Sequence, residues 1–143
     1  VEERALGMGV GWGRLKVLVL GGVNAVGKFG WRTVADLLQL CAALDEIYLH
    51  ANGLSDPGGA DADLTAPSQL KVLELQGNKL TSWPKLCAYT TTACPHLHRL
   101  GLADNNIHLN PTTTTTTPPP HHPTLLDLNL AGNPIHSWAS LLH

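Results

Sequence analysis

Residues 70–80 carry apolar side chains at the first, fourth, sixth and eleventh places, as Leu70, Leu73, Leu75 and Leu80, with Asn78 at the ninth. Leu73 and Leu75 alternate with Val72, Glu74 and Gln76, which predicts a short strand with one apolar side and one outward side. Asn78 falls where the chain turns off that strand, and its amide can hydrogen-bond backbone groups that a turn leaves unpaired. The pattern recurs. Leu44, Ile47, Leu49, Asn52 and Leu54 repeat it, as do Leu97, Leu100, Leu102, Asn105 and Ile107, and then Leu125, Leu128, Leu130, Asn133 and Ile135. A further copy, Leu15, Leu18 and Leu20, has Val23 at the asparagine place. The copies start at 15, 44, 70, 97 and 125, with spacings of 29, 26, 27 and 28 residues.

The frame L-x-x-L-x-L-x-x-N-x-L at this period is that of leucine-rich repeats. One such unit cannot bury its own leucines and needs similar neighbours on either side. The expected fold is therefore α/β: a solenoid of about five repeats, with a curved parallel sheet on the concave side and helices and irregular loops on the convex side. Residues 1–14 are expected to be disordered or the end of a preceding repeat, and 15–143 to be the repeat domain.

Between the strands, Val34, Leu37, Leu38 and Cys41 form one apolar stripe at helical spacing, which predicts a helix over 31–44 and a packed Cys41. The connector 55–68, rich in Gly, Pro, Asp and Ala, is expected to be irregular. Residues 85–94 form a short segment that Pro95 ends. The stretch 110–124 holds six consecutive threonines, five prolines and His121-His122, and predicts a solvated loop. Neither end shows a polar capping unit, which suggests a piece of a longer protein.

Composition adds little chemistry. Net charge is −2 and charged residues make up 14%, so no basic nucleic-acid surface is expected. Leucine strands separated by polar turns do not give the apolar run of a membrane span. Cys41, Cys87 and Cys94 include no C-x-x-C pair, and Asn110-Pro111-Thr112 is blocked as a glycan acceptor; both favour a cytoplasmic setting.

Three features invite a site. Gly22, Gly27 and Lys28 after a strand trace the outline of a phosphate-binding loop. Phe29, however, stands where a magnesium-holding hydroxyl belongs, so nucleotide binding by a degenerate loop is a remote alternative to a plain turn. His121 and His122 have no acidic or cysteine partner at ligand spacing, and His96 and His98 flank Leu97 facing outward; neither pair predicts a metal site. No catalytic set converges, so no enzyme activity, cofactor or small-molecule substrate is expected. The outward positions form the third candidate. Glu46, Tyr48, His50, Val72, Glu74, Gln76, Arg99, Asp127 and Asn129 would line a concave face, with Tyr48 as an aromatic anchor and the charges setting register for a protein partner. A generic solvated sheet face is the plainer reading.

Several stretches resemble the repeat region of the tubulin-folding cofactor E family. They are LKVLVL at 15–20 followed by Gly30-Trp31, CAALDEIYLHANGL at 41–54, the insertion at 111–123, and NPIHSW at 133–138. The resemblance spans roughly residues 15–142. It implies a non-enzymatic, cytoskeleton-associated chaperone that binds α-tubulin and works with other tubulin-folding cofactors on heterodimer assembly and dissociation. The CAP-Gly and ubiquitin-like domains that flank the repeats in that family are not in this sequence. The alternative is a generic cytosolic repeat scaffold of axonemal or phosphatase-regulatory type using the same face.

Overall fold

The computed structural model describes residues 12–58, 67–109 and 121–138. The expectations for residues 1–11, most of the 55–68 connector and the threonine run of the insertion lie outside the described residues. Five three-residue strands form one parallel sheet in sequential order: β1 (Val17–Val19), β2 (Glu46–Tyr48), β3 (Val72–Glu74), β4 (Arg99–Gly101) and β5 (Asp127–Asn129). The register is that of the repeat, with Leu18, Ile47, Leu73, Leu100 and Leu128 side by side. The fold is α/β, with strand following strand at the sequence period.

Behind the sheet the repeated leucines form one core. Leu44, Ile47, Leu49, Leu54, Leu70, Leu73, Leu75, Leu80, Leu97, Leu100 and Leu102 are all fully buried. In the outer units Leu15, Leu18, Leu20, Leu125, Leu128 and Ile135 are only partly covered. Each leucine thus depends on neighbouring strands for its burial, at about 25 cal/mol per Å² removed from water.

Two helices follow β1, α1 (Asn24–Phe29) and α2 (Trp31–Leu40). The helix expected over 31–44 ends at Leu40, where Cys41 leaves helical geometry. Val34 and Leu38 are buried along its stripe, and Cys41 is packed and unpaired. The segment expected at 85–94 is a full helix, α3 (Trp83–Ala93), which starts earlier because Ser82 caps it by accepting the Lys85 N–H, with Pro84 in its first turn. The Trp31 ring meets Tyr89 with centroids 4.6 Å apart and a 59° tilt, and its indole N–H donates to the Ser55 carbonyl at 2.6 Å. This contact joins the helices of the first and third units.

The asparagines connect repeats. Asn78 Oδ1 accepts the N–H groups of Asn52 and Leu54, both at 3.0 Å, in the preceding unit. Its Nδ2 donates to the Leu49 carbonyl there at 3.0 Å and to its own Leu75 carbonyl at 2.9 Å. Asn105 bonds back to Leu80 and Leu75, Asn133 to Ile107 and Leu102, and Asn52 to Val23 and Leu20. A local role in its own turn, as expected from sequence, is half of what each asparagine does.

One residue before each of these asparagine positions, the backbone takes a left-handed conformation. Gly22, Ala51, Gly77, Asp104 and Gly132 have φ between 54° and 71°, and only glycine adopts this without strain. The glycines of the phosphate-loop outline are accounted for in this way. Gly22 supplies the turn, and a Cβ on Gly27 would stand 1.9 Å from the Asn52 carbonyl oxygen. Gly27 is small because the next repeat's backbone lies against it.

The stretch expected to be a solvated loop around His121-His122 is corrected. His121 is exposed, but His122 is 8% exposed. Its Nε2 lies 3.2 Å from the Thr90 carbonyl and 3.1 Å from the Cys94 carbonyl at the end of α3. Both carbonyls already accept a backbone N–H, from Cys94 and Leu97 respectively, and the ring reaches their second lone pairs.

Two stability outcomes follow. Asn78→Ala leaves two buried N–H groups and the Leu49 carbonyl short of partners, while Leu75 keeps its bond from Asn105. It should lower unfolding free energy by about 2–4 kcal/mol in urea titrations, more than Asn133→Ala at the partly covered end. Ala51→Gly should stabilise by about 1 kcal/mol and Gly77→Ala should destabilise by a similar amount, read from the same titrations.

Candidate functional site

Parallel register places the outward side chains in rows that cross the strands. One row is Val17, Glu46, Val72, Arg99 and Asp127; the next is Val19, Tyr48, Glu74, Gly101 and Asn129. Neighbouring members of a row sit about 4.8 Å apart, one strand spacing. His50 and Gln76 lie just beyond, where the chain leaves β2 and β3. All nine residues expected to form the face are therefore on one side of the sheet, and they divide into two groups.

On the β3–β5 side, Arg99 Nε donates to Asp127 Oδ2 at 2.8 Å and lies 3.8 Å from Glu74 Oε1. Gln76 Nε2 donates to Glu74 Oε2 at 2.7 Å. Together with Gly101 and Asn129 these residues line a shallow depression of ≈ 430 Å³. Glu74 is 7% exposed, far less open than an outward strand position suggests. The reason is Gly101: a Cβ there would stand 1.6 Å from Glu74 Oε2, so the carboxylate lies across the bare backbone of β4. Burial raises the Glu74 pKa, with Asp127 adding to the rise and Arg99 and Gln76 opposing it. The hydrogen bond and charge of Asp127 raise that of Arg99.

On the β1–β2 side the surface is more open. Val17 and Val19 are 47% and 58% exposed. The Tyr48 hydroxyl donates to Glu46 Oε2 at 2.8 Å, and this bond is the main cause of a raised Tyr48 pKa. His50 is exposed and lies over Gly21, where a Cβ would stand 2.0 Å from its Nε2. Asn129 turns partly to its own backbone, accepting the Ala131 N–H at 3.1 Å.

Sequence reasoning placed the residues on one face, with Val17 and Val19 at outward positions but outside the candidate set, and missed the burial of Glu74. That burial was legible in the repeat register. Gly101 stands opposite Glu74, and the first strand alone has valine at both outward places.

Among the described residues no group of three metal-ligating side chains assembles, and no helix is long and apolar enough to cross a membrane. His96 and His98 are exposed. Cys87 and Cys94 are buried in the core, and burial pushes the Cys94 thiol up to about 11.

No family model matches the sequence, and no solved structure matches it. Among curated proteins, human leucine-rich repeat-containing protein 43 is 33% identical over 107 residues, a stretch that covers 75% of this chain and 15% of that protein's length. With five parallel strands at the repeat period, this homology supports a protein of leucine-rich-repeat type. It does not single out tubulin-folding cofactor E.

The raised Glu74 pKa has a definite sign. Its contribution is fully present below the ordinary carboxylate pKa and is lost as pH rises through the raised folded-state value. Glu74→Gln keeps the shape and the Gln76 contact without the charge. It should melt no lower than wild type near neutral pH, and the difference should vanish in the acid range where Glu74 is protonated, as followed by thermal denaturation across pH.

Proposed function

We propose that this chain is a non-enzymatic protein-binding module, in which the repeats stack as a solenoid and the outward strand face holds the partner. The observation that carries this reading is the pair of rows crossing all five strands. A half-buried aromatic, two exposed valines and an Arg99–Asp127 pair are held on short strands of one parallel ladder. Such a surface is broad and shallow, which suits a macromolecule better than a small substrate. Aromatic residues ringed by charges are the usual anchors of protein interfaces. No cofactor, nucleic acid or membrane enters this reading, and the setting proposed is the cytoplasm.

For the partner, α-tubulin, acting with other tubulin-folding cofactors, is the reading supported by the residue patterns at 15–31, 41–54 and 133–138. A repeat scaffold with another protein partner is supported equally by the similarity to the human leucine-rich-repeat protein. Both use the same face and differ in what it holds.

The test takes the full-length protein with purified tubulin heterodimer on size-exclusion chromatography, and with a photo-crosslinking residue at Tyr48. The tubulin reading expects co-elution, a crosslink to α-tubulin, and at least a tenfold loss of affinity in Tyr48→Ala. No co-elution with tubulin, together with a Tyr48 crosslink to another protein in cells, would transfer the assignment to the scaffold reading. Crosslinks from exposed Asp36 on α2 but none from Tyr48 would overturn the face itself.

A further inference from the structure

The carboxylates of the described structure are not equally provided for. Glu74 and Asp127 share Arg99. Asp45 lies 3.7 Å from both Lys16 and Lys71. Asp56 accepts the backbone N–H groups of Thr81 and Ser82 at 2.8 and 3.0 Å. Glu46 is different. Among the described residues no cation lies within ion-pair distance of it, and its recorded side-chain partner is the neutral Tyr48 hydroxyl on Oε2.

The row neighbours of Glu46 are aliphatic, while the charges of Glu74 and Arg99 act on Tyr48 from the β3–β4 side. Glu46 lies between Val17 and Val72 in its row, with Tyr48 and then Val19 in the next. Val17 and Val19 are the exposed valines of the sheet face. A half-exposed carboxylate framed by aliphatic side chains and an aromatic ring complements one kind of group: a cation on an apolar stem.

We propose that Glu46, Tyr48, Val17 and Val72 form a subsite for a lysine or arginine side chain of the protein partner. The inference rests on the protein-binding reading of this face and says which chemistry the partner brings to the β1–β2 side. The stem of the incoming residue packs on Val17 and Val72, as long basic side chains do along apolar surface. Its head meets the carboxylate, an ion pair that gains from charge-assisted hydrogen bonding. The Tyr48 ring adds a cation–π contact, and its hydroxyl bond to Oε2 holds the carboxylate in place. The β3–β5 side offers no comparable subsite, because Arg99 already lies against both carboxylates there.

The experiment titrates the full-length protein with leucine-flanked synthetic peptides that differ at one central residue: arginine, lysine, glutamine or norleucine. Binding is followed through the Tyr48 ring resonances. Arginine and lysine peptides should bind about fivefold more tightly than the glutamine and norleucine peptides, and the preference should shrink at high salt. Glu46→Gln, which keeps shape and the Tyr48 hydrogen bond, should erase the preference, whereas Asp36→Asn on α2 should retain it. A circular-dichroism melt of Glu46→Gln matching wild type ties the loss to charge and not to unfolding. Equal affinity for all four peptides, a preference that survives Glu46→Gln, or no binding of any peptide would overturn the subsite. A tubulin complex or Tyr48 crosslink that persists alongside any of those results would leave the protein-binding reading standing, so the two failures are separable.

Discussion

The asparagine at the ninth place of the last four repeats is the interaction on which the rest of the structure depends. A three-residue strand satisfies few backbone groups, and the turn that follows it leaves more of them facing inward. Asn78 meets this by bonding simultaneously to its own strand and to the unit before it. A buried amide with all its partners in place adds about 1 kcal/mol per bond, but its loss costs the full desolvation of each orphaned group. The asparagine therefore sets the register between units, and the leucines, which would pack in many ways, pack in one.

The outward face inherits its order from that register. Because every strand is short and in phase, outward residues from units about 27 residues apart in sequence become neighbours one strand spacing apart. The left-handed position that closes each strand lets the chain turn toward the next helix or loop at the same point every time. The regular spacing of the strands and the openness of the surface are thus consequences of one repeated geometry.

Charge on this face is distributed unevenly for steric reasons. Gly101 allows Glu74 to lie down across β4 and reach Arg99 and Gln76, which turns the β3–β5 side into a closed network. The β1–β2 side has no such glycine opposite Glu46, no cation for it among the described residues, and two exposed valines. One half of the face is satisfied internally, whereas on the other half the Glu46 carboxylate meets the neutral Tyr48 hydroxyl. His122 shows the same sensitivity to local geometry. In a low-complexity stretch it reads as solvent-exposed, yet its Nε2 lies within hydrogen-bond distance of the Thr90 and Cys94 carbonyls at the end of α3, in the interior.

The sequence by itself determined the strand positions, their parallel order, the leucine core and the side of the sheet on which Tyr48, Glu74 and Arg99 lie. Those features follow from a period of two within each strand and a period near 27 between strands, both visible in one dimension. Only the tertiary structure decided that Asn78 bonds across units, that Gly27 is small because the Asn52 carbonyl lies against it, that Glu74 is buried while Glu46 has no cation beside it, and that His122 is inside. Each of these depends on which atoms of one repeat stand opposite which atoms of another. A repeat pattern specifies that adjacency only down to the residue, whereas burial and hydrogen bonding are decided within an ångström.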